Sequence, residues 1–146
     1  MKDLTVLQEK IGVQFNNPDL LINAVTHATY VHEHRGEKLE SNEGLEHLGN
    51  YLLMALVTTE IFHLYPERGI GGLNELRTFL TNKPRIFAIA EKLGLSDHLL
   101  LGKGERSGPT PKPRLVASAF EAIIGALYLD QGMEAARRFI KTFIVT

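Results

Sequence analysis

Residues 117–130 read ASAFEAIIGALYLD, and this stretch decides the fold class. Its apolar residues crowd together too densely for the period-two alternation of a half-buried strand, and the run continues upstream to Arg114. Arg114 to Leu129 therefore reads as a very apolar helix, ended by Asp130-Gln131-Gly132. No other segment alternates between hairpin turns, so the expected class is all-α. Ser41 or Asn42 caps a long helix reaching about Tyr65, where Pro66 stops it. Leu4 to Ile11 is a short helix ended by Gly12. Asn17 with Pro18 opens another, whose buried face is Leu20, Leu21, Ala24 and Val25. Residues 32–42 are polar and read as a loop, and Arg68 to Gly72 as a Gly-rich connection. Helices follow at about Leu73 to Leu80 and, opened by Asn82-Lys83-Pro84, at about Pro84 to Leu93, closed by Gly94. Residues 102–113 are the most loop-like part, and Met133 to about Phe143 is a last amphipathic helix. With no repeat and no linker, residues 1–146 read as a single domain.

Composition narrows the function. Of 146 residues, 44% are hydrophobic and 23% charged, a globular balance that excludes a disordered chain. There is no cysteine, which excludes disulfides, thiolate zinc sites, iron–sulfur clusters and a cysteine nucleophile. Sixteen Lys+Arg against 17 Asp+Glu give a net charge of −1, so a polyanion would need a local basic patch. Neither a signal-peptide core nor a membrane-length apolar run is present. The expectation is a soluble, cytoplasmic protein.

Two helices carry carboxylates among apolar neighbours. In Asn42–Leu53 (NEGLEHLGNYLL), Glu43, Glu46 and Asn50 share one face and Leu45, Leu48 and Leu52 another. In the apolar helix, Ser118 and Glu121 lie one turn apart. A lone buried carboxylate is expensive, so Glu121 needs a partner. It either sits at a helix edge or in a hydrogen bond, or both helices face one cleft where Glu46 and Glu121 are hard oxygen ligands for Mg²⁺.

These residues carry a family resemblance. Asn42 to Asn50 resembles the ribonuclease III signature NERLEFLGD. Phe15 to Leu21, followed by Ala24-Val25-Thr26-His27, resembles that family's "LL…ALTH" segment. Leu101 to Glu105 resembles its "LGKGE", and Ala117 to Asp130 its "ADTFEAIIGALYLD". The motifs come in the family's order and cover nearly the whole chain. The resemblance implies a helical endonuclease domain that dimerises and cleaves double-stranded RNA, with four acidic side chains holding Mg²⁺ or Mn²⁺ at each site. The matching positions here are Glu46, Asn50, Ser118 and Glu121, with Glu43 as an additional acid. The acid that often precedes the glycine after the long helix is matched by Ile70.

Both aspartates are thus missing. Asn keeps a weak oxygen ligand, Ser shortens the reach, and local charge falls from about −4 to −2, too little for tight binding of Mg²⁺ without phosphate. The substitutions imply a degenerate ribonuclease III domain that still acts on or binds double-stranded RNA. An active endonuclease with an atypical site, or a structural partner of an active paralogue, are the alternatives. Lys103, Arg106, Lys112 and Arg114 form a basic loop that either is a mobile surface loop or contacts RNA phosphates. The signature's Phe, which in the family reaches into the dimer partner, is His47 here. A homodimer is expected, or a heterodimer with an active paralogue. His32-Glu33-His34 is the closest histidine pair and reads as a solvated loop, and His27 as packing or capping. Gly69-Ile70-Gly71-Gly72 lacks the Lys-Ser/Thr of a phosphate loop and reads as a turn. The family's bacterial members carry an RNA-binding domain after this one, whereas here the sequence stops with the last helix, either cut short or complete as one domain.

Overall fold

The structure, a computed structural model, describes residues 3–106 and 108–146. Helices α1 (Thr5–Ile11), α2 (Pro18–Ala24), α3 (Ala28–Glu33), α4 (Glu43–Leu64), α5 (Ile70–Thr81), α6 (Lys83–Lys92), α7 (Pro113–Gln131) and α8 (Met133–Phe143) follow in chain order. A 3₁₀ turn, Leu95–His98, lies between α6 and α7. The class is all-α, as the sequence predicts.

The apolar helix becomes the centre. From Leu115 to Leu127 only Ser118 of α7 is not fully buried, and α2, α4, α6 and α8 pack around it. A helix apolar on every side has no solvent face to offer and must be enclosed. Phe120, Ile123, Ile124 and Leu127 are at most 1% exposed, and each such side chain contributes about 1.5–3 kcal/mol by leaving water. The tilted rings of Phe139 and Phe143 continue from Phe120 and fasten α8 on one side. Arg137 of α8 reaches the buried Glu60 of α4 at 3.2 Å.

The structure departs from the sequence reading at three helix starts. Residues 28–33 form α3 rather than leading into a loop, because the His27 ring accepts the Thr29 N–H at 3.2 Å and caps a helix there. The segment Gly69-Ile70-Gly71-Gly72 is not a turn: Gly69 is the N-cap, and the next three residues are the first turn of α5. First-turn N–H groups have no intrahelical acceptor in any helix, so weak helix formers are tolerated there. Asn42 does precede α4, but its side chain makes no cap. It is buried and donates to the Ala24 carbonyl at 3.1 Å, while its N–H donates to the Thr26 carbonyl at 2.8 Å. Asn17 and Asn82 cap α2 and α6 as expected.

Asn42 belongs to a clasp. Thr26 is fully buried, and its hydroxyl donates to the Ile22 carbonyl at 2.6 Å. The Leu100 N–H donates to the Val25 carbonyl at 2.8 Å and the His27 N–H to the Leu100 carbonyl at 2.9 Å, giving an isolated parallel bridge between Thr26 and Leu100. The Thr-His segment therefore ties the start of α4 to the strand-like residues that lead into the 102–106 loop.

Candidate functional site at the crossing of two helices

The two motif helices meet through glycine. A Cβ on Gly49 of α4 would lie 1.7 Å from the Glu121 carbonyl oxygen, and one on Gly125 of α7 would lie 2.4 Å from the Leu45 carbonyl oxygen. Only hydrogen fits at either position, so the backbones touch. Residues one turn before Gly125 and around Gly49 are thereby pressed together: Ser118 and Glu121 from α7, Glu46 and Asn50 from α4.

Each glutamate is closed by a neutral polar residue of the facing helix. The Ser118 hydroxyl donates to Glu46 Oε2 at 2.7 Å. The Asn50 amide donates to Glu121 Oε2 at 2.8 Å. Glu121 is only 1% exposed and carries a second partner, an ion pair from the Lys83 ammonium to Oε1. A buried carboxylate needs such compensation, since desolvation otherwise disfavours its charge by several kcal/mol. Glu121 is thus neither at a helix edge nor exposed, and the hydrogen-bonded alternative describes it.

The residue pattern around Lys83 does not single it out. It is the first residue of α6, held by a cap on both sides: Asn82 Oδ1 accepts the Arg85 N–H at 2.9 Å, and the Asn82 amide donates to the Phe79 carbonyl at 2.8 Å. A positive charge at a helix N-terminus opposes the helix dipole, and that opposition was the local signal that a partner lay elsewhere. Gly49 and Gly125 carried a signal too, because a glycine inside a helix costs about 1 kcal/mol relative to alanine unless close approach requires it.

Glu43, Glu46, His47, Asn50, Tyr51, Lys83 and Glu121 line one open cavity of about 310 Å³. Glu43 and His47 are exposed at its rim, and His47 meets the Tyr51 ring edge-on at 5.1 Å. Ile70 is 81% exposed and lies outside the lining. A larger groove of about 800 Å³ opens elsewhere, between Asp19, Asn23, Tyr30 and residues 37–40, and contains none of Glu46, Asn50, Ser118 and Glu121.

The groups at the crossing do not fit a divalent ion as they stand. Of the four side chains that meet, only Glu46 and Glu121 are acidic; Glu121 has both oxygens engaged, and one Glu46 oxygen accepts the Ser118 hydroxyl. Among the described residues, no three His, Asp or Glu side chains are grouped to hold a metal. The His32-Glu33-His34 set is divided among other partners: the Arg35 guanidinium donates to His32, Glu33 accepts the Lys103 N–H at 2.8 Å, and the His34 ring donates to the Tyr30 carbonyl at 2.9 Å.

The basic loop stands apart from this cavity. Its first residues are fixed on α3, where Thr29 Oγ1 accepts the Gly102 N–H at 2.9 Å beside the Glu33–Lys103 contact. Lys103, Arg106, Lys112 and Arg114 are all exposed, with Lys112 3.6 Å from Glu105. Ser107 within the loop lies outside the described residues.

A family model described as ribonuclease-III-like matches residues 17–146. The chain is 43% identical over 138 residues to the ribonuclease 3 of Bacillus velezensis and 46% identical over 136 to that of Geobacillus kaustophilus. These alignments cover 94% and 92% of this chain and 55% of each relative. The nuclease domain of ribonuclease III from Campylobacter jejuni matches with a TM-score of 0.87 at 34% identity, covering 99% of this chain and 95% of that one. A second structure of that domain, described for flexibility in a region involved in dimer formation, matches with a TM-score of 0.86 at 32% identity, over 99% and 100%. The chain belongs to the ribonuclease-III-like family and has the fold of its nuclease domain. It spans about half the length of the curated relatives it matches. Among the described residues, no helix is long and apolar enough to cross a membrane.

Proposed function

We propose that residues 1–146 form one ribonuclease-III-like domain that binds double-stranded RNA in the cytoplasm and has lost efficient cleavage. One observation carries the reading: Asn50 and Ser118, at the aspartate positions, donate hydrogen bonds to the two remaining glutamates. The carboxylates that would gather Mg²⁺ or Mn²⁺ are satisfied by protein donors instead. RNA contact is assigned to exposed Lys103, Arg106, Lys112 and Arg114, which can neutralise phosphates in any sequence. Pairing of two copies is assigned to the outer stripe of α4, where His47, Tyr51, Ala55, Thr58 and Phe62 recur at helical spacing and are exposed. Tyr51 is 66% and Phe62 61% exposed, more apolar surface than a lone chain needs to show water.

Labelled double-stranded RNA incubated with the purified protein and Mg²⁺ or Mn²⁺ tests the reading. The expected result is a shifted but uncut RNA. Asn50→Asp combined with Ser118→Asp should recover metal-dependent cutting. Robust cutting by the unmodified protein, abolished by Glu121→Ala, would overturn the loss of catalysis.

A further inference from the structure

We propose that the Lys83 ammonium is the resident cation of the site, standing where the family fold would otherwise gather a divalent ion. This rests on the functional reading above and adds a cause to it: the site is not merely short of ligands, it already contains its counter-charge.

Three observations carry the assignment. Glu121 is 1% exposed, so its charge must be balanced locally, and the Lys83 ammonium is the cation paired with it. The other Glu121 oxygen takes the Asn50 amide, so a positive and a neutral donor complete the carboxylate. The Lys83 side chain is 55% exposed, but the backbone that carries it is fixed. Asn82 ties the end of α5 to the start of α6, and Pro84 fixes the backbone next to Lys83. Local helix electrostatics disfavour a cation at this position, so the Glu121 pair supplies the compensation.

The other charged or titratable groups around the cavity are Glu43, Glu46, His47 and Tyr51. With Glu121 they comprise three carboxylates against one ammonium. A divalent ion entering this cavity would have to displace the ammonium from Glu121 and the Ser118 hydroxyl from Glu46. Removing the ammonium leaves a buried carboxylate in need of a cation and a cavity open to solvent through which one can enter. The consequence is that neutralising Lys83 should create a metal requirement that the unmodified protein lacks.

Mn²⁺ alone is the probe, its free-ion paramagnetic resonance signal reporting binding. Lys83→Met should bind Mn²⁺ at least tenfold more tightly than the unmodified protein. In metal-free buffer it should melt about 5 °C lower, and millimolar Mn²⁺ should restore at least half of that loss. Lys83→Gln, nearly the same length and able to hydrogen-bond, is the second variant should the methionine prevent folding, and it should show the same gain. Lys83→Arg should show none. Glu121→Gln added to Lys83→Met should abolish the tight Mn²⁺ binding. Equal Mn²⁺ affinity in the unmodified protein and both neutral variants overturns the inference and leaves the functional reading intact. RNA cleavage by the unmodified protein overturns the functional reading whatever the Mn²⁺ result.

Discussion

Replacing Gly49 with alanine places a methyl group where α4 and α7 touch. That Cβ would stand 1.7 Å from the Glu121 carbonyl oxygen, and protein Cβ atoms do not approach neighbours closer than 3.0 Å. The helices must part by at least 3.0 − 1.7 = 1.3 Å, because the obstacle is backbone and has no rotamer to change. A 2.8 Å bond from Asn50 to Glu121 stretched by that distance is no longer a hydrogen bond. Overpacking costs about 1–3 kcal/mol, and a lost hydrogen bond to a charged group adds about 1.5–3 kcal/mol. We expect Gly49→Ala to lose about 3–5 kcal/mol, a large part of a stability that is typically about 5–15 kcal/mol. Gly44→Ala is the matched control on the same helix: nothing lies within 4 Å of its added Cβ. It should be neutral or gain up to about 0.5 kcal/mol from helix propensity. Urea unfolding followed by circular dichroism at 222 nm measures both. A Gly49→Ala protein within about 1 kcal/mol of the unmodified one would refute the close-contact account of the site.

Two further outcomes are expected. Burial pushes the Asp130 carboxyl upward, but hydrogen bonds from the Gln131 side chain and from the Asn16 and Asn17 N–H groups hold it below its ordinary 3.8. The native state then binds that proton more weakly than the unfolded chain, so this stabilisation is complete above about pH 4 and fades as the pH falls further. Asp130→Asn should cost roughly 1 kcal/mol at pH 7 and much less near pH 2.5, and an equal deficit at both pH values in thermal melts would count against it. His47→Phe should shift the association equilibrium towards dimer at least tenfold by replacing a polar ring at the N-terminal end of the exposed stripe with an apolar one. Sedimentation equilibrium decides this, and a strictly monomeric His47→Phe protein would remove the stripe as a pairing face.

Much of the fold is legible because its causes are local. Asn17-Pro18 and Asn82-Lys83-Pro84 announce helix starts by side-chain capping and by a proline that needs no donor, and both are helix starts in the structure. The run from Arg114 to Leu129 is apolar on every side, and it becomes the enclosed helix. Glu46, Asn50, Ser118 and Glu121 are assembled from the family motifs, and their side chains do meet. What sequence spacing cannot reveal is a partner set by tertiary geometry. Lys83 is 38 positions from Glu121, and nothing beside it specifies a carboxylate. Asn42 has the chemistry of a cap yet spends its amide on Ala24, because the clasp around Thr26 brings that carbonyl within reach. Glycines hide the start of α5, because their low propensity reads as a turn yet matters little in a first turn.

The position of α7 in the chain bears on how the protein is made. Its residues, Pro113–Gln131, come after α1 to α6 have all been synthesised. Until they leave the ribosome, α2, α4 and α6 have no central surface on which to bury their inner faces. A nascent chain halted before Pro113 exposes Leu53, Val57, Ile61 and Ile86 to water, residues that are at most 1% exposed in the complete fold. Such a fragment is a substrate for aggregation or for holding by a chaperone, not a folding intermediate with a native core. Cooperative folding therefore waits for the helix that also carries half of the site, and a chain halted before Pro113 does not present Glu46 or Asn50 in its native surroundings.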